Sequence, residues 1–268
     1  MGPRETISIL GCGWLGKPLA MTLIQTGYKV LGSTTTEEKL PQLKAAGIDA
    51  FSFRFSPGLA GDGAAPFFKS PICIVGIPPA IGKTDPAHFL LKMQAICNEI
   101  INGDVSKVIF ISSTSVYKGR IGVVEEHDAN ENSDLFKAEA IFKDQNKFDT
   151  TVLRFAGLVG PDRNPSRFLS GRKVSGGNDP VNLIHLADCI RIIQTVLDLD
   201  VWGGVLNACS DIHPTRRDFY EFVCSQSNVS LPVFVGPENE APKIVSNARL
   251  RRELGYSFTF PDPMKMTY

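Results

Sequence analysis

The feature that most constrains this chain is a glycine turn close to its N-terminus. The short run Thr6-Ile7-Ser8-Ile9-Leu10 reads as a strand and passes directly into Gly11-Cys12-Gly13-Trp14-Leu15-Gly16. Leu15 to Thr26 has the apolar spacing of a helix, Gly27 follows it as a C-cap residue would, and Tyr28–Leu31 reads as a second strand. G-x-G-x-x-G alone is a weak signal. Between a strand and a helix, inside a β-α-β unit of roughly 30 residues, it is the fingerprint of a dinucleotide-binding fold. Each glycine has its own reason. Gly11 permits the tight turn, Gly13 lets a pyrophosphate approach the backbone, and Gly16 lets the helix pack close to the sheet. The helix N-terminus adds N–H donors and a partial positive charge, and Pro18 stands in the first turn, where its missing N–H matters least. Gly11, Gly13, Trp14, Leu15 and Gly16 are therefore candidate cofactor contacts, with the Trp14 ring expected to pack over the helix start.

The alternation continues. Helices are expected at Glu37 to Ala46, Pro86 to Ile101 and Asn132 to Asn146, and strands at Ala50–Phe53, Pro71–Ile77, Val108–Ser112 and Thr151–Phe155. Such a sequence implies an α/β fold, a doubly wound parallel sheet of the Rossmann type. After Gly157 the texture changes: Gly160 to Asp179 reads as a long loop. Helices at Leu186–Leu197 and Thr215–Ser225 follow, with a strand at Val205–Ala208 between them. The expected organisation is one unit over 1–268. Residues 1–157 form the dinucleotide-binding core. Residues 158–268 form mainly a small C-terminal α/β lobe over the sheet end, with 182–208 returning to the core.

Composition narrows the partners. The 28 basic and 28 acidic residues balance, so nothing draws the chain to nucleic acid or an anionic membrane. No apolar run approaches the roughly 18 residues of a membrane span. The six cysteines form no C-x-x-C pair and the four histidines lack ligand spacing, so no metal site is expected. Free buried thiols suit a reducing, cytoplasmic setting.

The end of the second strand bears on NAD versus NADP. An NAD binder places a carboxylate there for the ribose 2′-hydroxyl. This chain reads Gly32-Ser33-Thr34-Thr35-Thr36, and Glu37 and Glu38 come later, as starters of a helix. Ser33, Thr34 and Thr35 are candidate ribose-side contacts, and NADP is favoured, with NAD as the alternative.

A second group of motifs carries a family resemblance. Ser112-Ser113-Thr114-Ser115-Val116-Tyr117 closes the fifth strand; Leu153-Arg154 through Gly160-Pro161, Ile184-His185-Leu186-Ala187-Asp188, and Ser246-Asn247-Ala248-Arg249-Leu250 with Leu254-Gly255-Tyr256 follow. Together they resemble the extended short-chain dehydrogenases/reductases, the nucleotide-sugar epimerase and dehydratase family, in an atypical form, over nearly the whole chain. The resemblance implies that Gly76, Ile77 and Pro78 flank the cofactor, that Ser112 lies beside it, and that Ser113 is the catalytic hydroxyl bonded to a substrate oxygen. It places Arg163, Arg167 and Arg172 in the stretch that meets substrate, where guanidiniums clamp phosphate or carboxylate. It also implies a homodimer built on the helices at Pro86 and Asn132.

The chain departs from that family at one point. The family's Y-x-x-x-K supplies an acid/base tyrosine, and here no tyrosine stands between Tyr117 and Tyr220. Tyr117 and Lys137 are the substitutes on offer, the alternatives being a packed tyrosine and a solvated lysine. General acid–base help is worth roughly 10²–10⁴ in rate. Two functions are therefore carried forward. One is an NAD(P)-dependent oxidoreductase or epimerase acting on a small polar, nucleotide-linked substrate. The other is a non-catalytic NAD(P) sensor.

Overall fold

Seven strands carry the architecture, and most of their residues are buried because apolar side chains line both faces of a sheet covered by helices. They are β1 (Thr6–Leu10), β2 (Lys29–Thr34), β3 (Asp49–Ser52), β4 (Ile72–Val75), β5 (Lys107–Ser113), β6 (Asp149–Phe155) and β7 (Val205–Ala208). In the computed structural model, which describes residues 5–60, 64–77, 85–236 and 242–268, they form one seven-stranded sheet in the order β7-β6-β5-β4-β1-β2-β3. The pairs β1–β2, β1–β4, β2–β3 and β4–β5 are parallel. Strand β1 is the point at which the order reverses, with β2 on one side and β4 on the other. In open α/β sheets ligands bind outside the carboxyl ends of the strands at that switch point, which is where Gly11 stands. Ile7, Ile9 and Leu10 are at most 2% exposed. Burying each such side chain stabilises the fold by about 1.5–3 kcal/mol.

The helices are α1 (Gly16–Gln25), α2 (Leu40–Ala45), α3 (Pro86–Asn102), α4 (Asp134–Lys143), α5 (Ser166–Leu169), α6 (Leu186–Asp198), α7 (Arg216–Gln226) and α8 (Ala248–Leu254). Among the described residues no helix is long and apolar enough to cross a membrane. The sequence signals for the long helices hold to within a few residues at each end. Helix α4 is shorter than expected at both ends: it starts after Ser133, whose hydroxyl caps it by accepting the Phe136 N–H at 3.1 Å, and it ends at Lys143. The expected loop at Gly160 to Asp179 contains α5 and a two-residue strand, Lys173–Val174, which pairs with Val233–Phe234.

The chain forms two compact units. The first comprises Met1–Ser112, Glu131–Leu153 and Val196–Val205, and the second Ser113–Asn130, Arg154–Thr195 and Leu206–Tyr268. In the second, Gly157–Val159 pairs with Leu183–His185 and Gly122–Val124 with Lys243–Val245, both parallel. Its core gathers Val159, Val181, Leu183, Phe219, Val223 and Met266. The Asp188 carboxylate reaches far along the chain, accepting from the Tyr256 hydroxyl at 2.8 Å and from the Thr259 and Phe260 N–H groups at 2.7 and 3.0 Å. That fastens the C-terminal segment to the start of α6.

Candidate dinucleotide-binding site

The first unit builds its site around the glycine turn. Gly11 has φ +106°, a left-handed conformation that side chains avoid, and a Cβ there would stand 3.0 Å from the Gly76 carbonyl oxygen. At Gly16 a Cβ would lie 2.2 Å from the Gly11 carbonyl oxygen, so α1 could not approach the turn as it does. At Gly13 a Cβ would meet nothing within 4 Å. The first two glycines are demanded by the fold itself; the third opens onto space.

Two strands hold the turn in place. The Ser33 hydroxyl accepts the Gly11 N–H at 3.0 Å, and the Ser33 carbonyl accepts the Cys12 N–H at 2.8 Å. From the other side the Gly76 N–H donates to the Leu10 carbonyl at 2.9 Å. One residue on, the Thr34 hydroxyl accepts the Thr36 N–H at 3.2 Å, closing a small turn that leaves Thr35 exposed.

Above the turn lies a cleft of about 330 Å³. It brings together Gly11, Gly13, Ser33, Thr34, Thr35, Gly76 and Ile77, all expected from sequence. Trp14, Leu15 and Gly16 do not line it; Trp14 is half-buried, Leu15 is the residue before α1, and Gly16 is the first residue of α1. Pro78 lies outside the described residues. The cleft also draws in Thr36, Lys39, Phe53, Arg54, Phe55 and Lys92, none of them expected. Burial lowers the Lys92 pKa below the usual lysine value. The thiol of Cys12, inside the turn, is pushed up to about 12 by burial, partly offset by a hydrogen bond from Ser33, so it is neutral and unreactive near neutrality.

The end of β5 carries the other candidates. Ser112 is buried and donates to the Glu139 carboxylate of α4 at 2.5 Å. Ser113 is half-buried, and its hydroxyl accepts the Ser115 N–H at 3.2 Å, which leaves the hydroxyl proton to donate elsewhere. Tyr117 is fully buried. Its hydroxyl donates to the Asn207 Oδ1 and accepts from the Arg154 Nη1, both at 2.7 Å. Arg154, only 1% exposed, also donates to the Glu126 carbonyl at 2.8 Å, and the Glu126 carboxylate accepts the Asn207 N–H at 2.8 Å. Burial raises the Tyr117 pKa, with Arg154 pulling it back. Lys137 stands exposed on α4, 4.0 Å from Asp134 one turn earlier. Arg163, Arg167 and Arg172 are all exposed in the second unit.

Strand order, switch point and glycine turn define a Rossmann-type fold, and solved nucleotide-sugar epimerases share it. UDP-glucuronic acid 4-epimerase from Bacillus cereus, solved with NAD, superposes with a TM-score of 0.78 over 97% of this chain and 95% of that one, at 16% identity. A functionally unknown conserved protein from Silicibacter pomeroyi gives 0.77 over 97% and 96%, at 20% identity. MoeE5, solved with UDP-glucuronic acid and NAD, gives 0.75 over 97% of both, at 18% identity. No protein-family model matches the chain. Protein YeeZ of Escherichia coli (strain K12) is 31% identical over 270 residues, spanning 98% of each chain. The chain belongs to the YeeZ family.

Proposed function

We propose that this chain binds a nicotinamide dinucleotide on the Gly11–Gly16 turn, NADP in preference to NAD. In this reading it acts as an oxidoreductase or epimerase on a small polar, nucleotide-linked substrate. The observation that carries the reading is Gly13, whose missing Cβ opens onto a cleft instead of onto protein. A packing glycine would be filled, as Gly16 is. The residues fit the dinucleotide: backbone N–H groups at a helix start for the pyrophosphate, and hydroxyls with no carboxylate at the tip of β2 for the ribose side. The fold relatives solved with NAD and UDP-sugars point to the same ligand chemistry.

The nicotinamide ring supplies hydride transfer when bound. The chain's own residues supply positioning. Ser113 donates a hydrogen bond from its hydroxyl to the reacting oxygen of the substrate, with the Ser115 N–H fixing the serine rotamer. Glu139 holds Ser112, and with it the end of β5, in register. Arg163, Arg167 and Arg172, in the substrate-side stretch 158–268, take a phosphate or carboxylate of the substrate. Tyr117 serves as the keystone of the Arg154–Asn207 network.

Incubation with a panel of nucleotide-sugars and small carbonyl compounds tests this reading in wild type and Ser113→Ala, with NADPH oxidation read for net reduction and the product epimer read for epimerisation, which consumes no dinucleotide. Turnover that Ser113→Ala reduces by about 10²-fold or more, without loss of dinucleotide affinity, supports it. The sensor reading has its own observation: the one tyrosine near the motif is sealed in the core and Lys137 is ion-paired at the surface. Tight dinucleotide binding with no turnover on any substrate is what that reading expects.

A further inference from the structure

The cleft has an uneven charge. Among the described residues, Lys39, Arg54 and Lys92 line it and no acidic side chain does. None of the three forms an ion pair with a described residue. In a chain whose charges sum to zero, three cations around one cavity, unpaired among the described residues, mark a site for an anion beyond the pyrophosphate that the glycine turn accommodates.

Arg54 is mounted for such a task. It follows Phe53 and precedes Phe55, each 6% exposed. Phe53 packs edge-on against Phe67 with ring centres 5.2 Å apart, and against Phe55 at 6.1 Å. The two-residue strand Arg54–Phe55 pairs antiparallel with Leu59–Ala60, and the Ser56 N–H donates to the Gly58 carbonyl at 2.8 Å. Side chains alternate along a strand, so two anchored rings fix the backbone and the guanidinium between them is presented outward. Thr35 also lines the cleft, and its exposed hydroxyl has no hydrogen-bond partner among the described residues.

We infer that Arg54, with Lys39 and the Thr35 hydroxyl, holds a phosphate on the 2′ position of the adenosine ribose. This rests on the reading of the cleft as a dinucleotide site. The place is the tip of β2, where a carboxylate would otherwise take the 2′-hydroxyl. A planar guanidinium matches phosphate bidentately. Glu37 and Glu38 line an adjoining recess of about 470 Å³ that shares Thr35, Thr36 and Arg54, and neither is ion-paired with Arg54. Among the described residues that line the cleft, the charged side chains are all basic.

The test is calorimetric titration of the full chain with 2′,5′-ADP and with 5′-ADP, for wild type, Arg54→Ala and Lys39→Ala. Arg54 is exposed, so its truncation leaves the fold intact. Wild type is expected to bind 2′,5′-ADP at least about tenfold more tightly. Arg54→Ala is expected to weaken 2′,5′-ADP by about 10- to 100-fold, as loss of a charge-assisted hydrogen bond predicts, and to leave 5′-ADP within about threefold. Lys39→Ala is expected to show a smaller loss of the same selectivity. Equal affinity of wild type for the two nucleotides, or an equal loss for both in Arg54→Ala, overturns this inference while the dinucleotide reading stands. Binding of neither nucleotide overturns both.

Discussion

The Ser33 hydroxyl accepts the backbone N–H of Gly11 at 3.0 Å across 22 residues of sequence. A side chain at the tip of the second strand thereby fixes the first residue of the glycine turn. Ser33→Ala leaves that N–H without its acceptor in a part-buried place. The expected cost is about 0.5–1.5 kcal/mol of stability, read by urea unfolding, together with weaker dinucleotide binding because the turn loses its anchor. Unchanged stability and unchanged binding would show that the backbone alone sets the turn.

The glycines separate folding from binding. Gly16→Ala forces a methyl group to within 2.2 Å of the Gly11 carbonyl. Overpacking of this kind costs about 1–3 kcal/mol and should lower the melting temperature. Gly13→Ala meets nothing in the protein, so the melting temperature should hold while dinucleotide affinity drops by about tenfold or more, 1.4 kcal/mol per tenfold. A Gly13→Ala protein that melts early, or one that binds normally, contradicts the assignment of that position to the ligand.

Tyr117→Phe removes the hydroxyl that Arg154 and Asn207 share. A buried guanidinium left short of an acceptor costs about 1–3 kcal/mol. Stability should therefore fall, with dinucleotide affinity preserved. If turnover collapsed while denaturant stability stayed level, Tyr117 would have to be moved from the core to the chemistry.

Much of this was legible in the sequence, and the boundary is physical. Strand β7 at Val205–Ala208 and the long helices are set by local periodicity, and they stand where that periodicity puts them. The glycine turn and the cleft's floor follow from a motif with a mechanical reason at each position. The two-residue strands at Arg54–Phe55 and Lys173–Val174 have no local signature, because only their distant partners make them strands. Arg54 and Lys92 reach the cleft through the pairing of β3 and the placement of α3, which spacing does not encode. Helix α8 could have been read: Leu250 and Leu254 are buried at helical spacing and Gly255 ends it in the left-handed conformation at φ 57°.

Acid should weaken the second unit. Burial lowers the pKa of both His185 and His213 below the ordinary 6.5. His185 uses Nδ1 to accept the Ala187 N–H and has Nε2 3.0 Å from the Thr267 carbonyl oxygen. The unfolded chain takes up these protons first, so the stability contributed by the neutral rings is complete above about pH 6.5 and is lost as the pH falls from there towards the lowered folded values. Denaturant melts between pH 7.5 and 5 should show this decline, and a His185→Gln, His213→Gln protein should show a flatter profile. An identical slope in that protein would assign the pH dependence to other groups.

The claim beneath the whole account is that Gly11, Gly13 and Gly16 hold a dinucleotide. Titration of the purified chain with NAD⁺, NADH, NADP⁺ and NADPH by calorimetry tests it most directly. Binding is expected with a Kd on the order of micromolar, tighter for the phosphorylated pair, and weaker by about tenfold or more in Gly13→Ala. Heat of dilution alone for all four nucleotides would contradict it, leaving a Rossmann sheet whose glycine turn serves packing and nothing more.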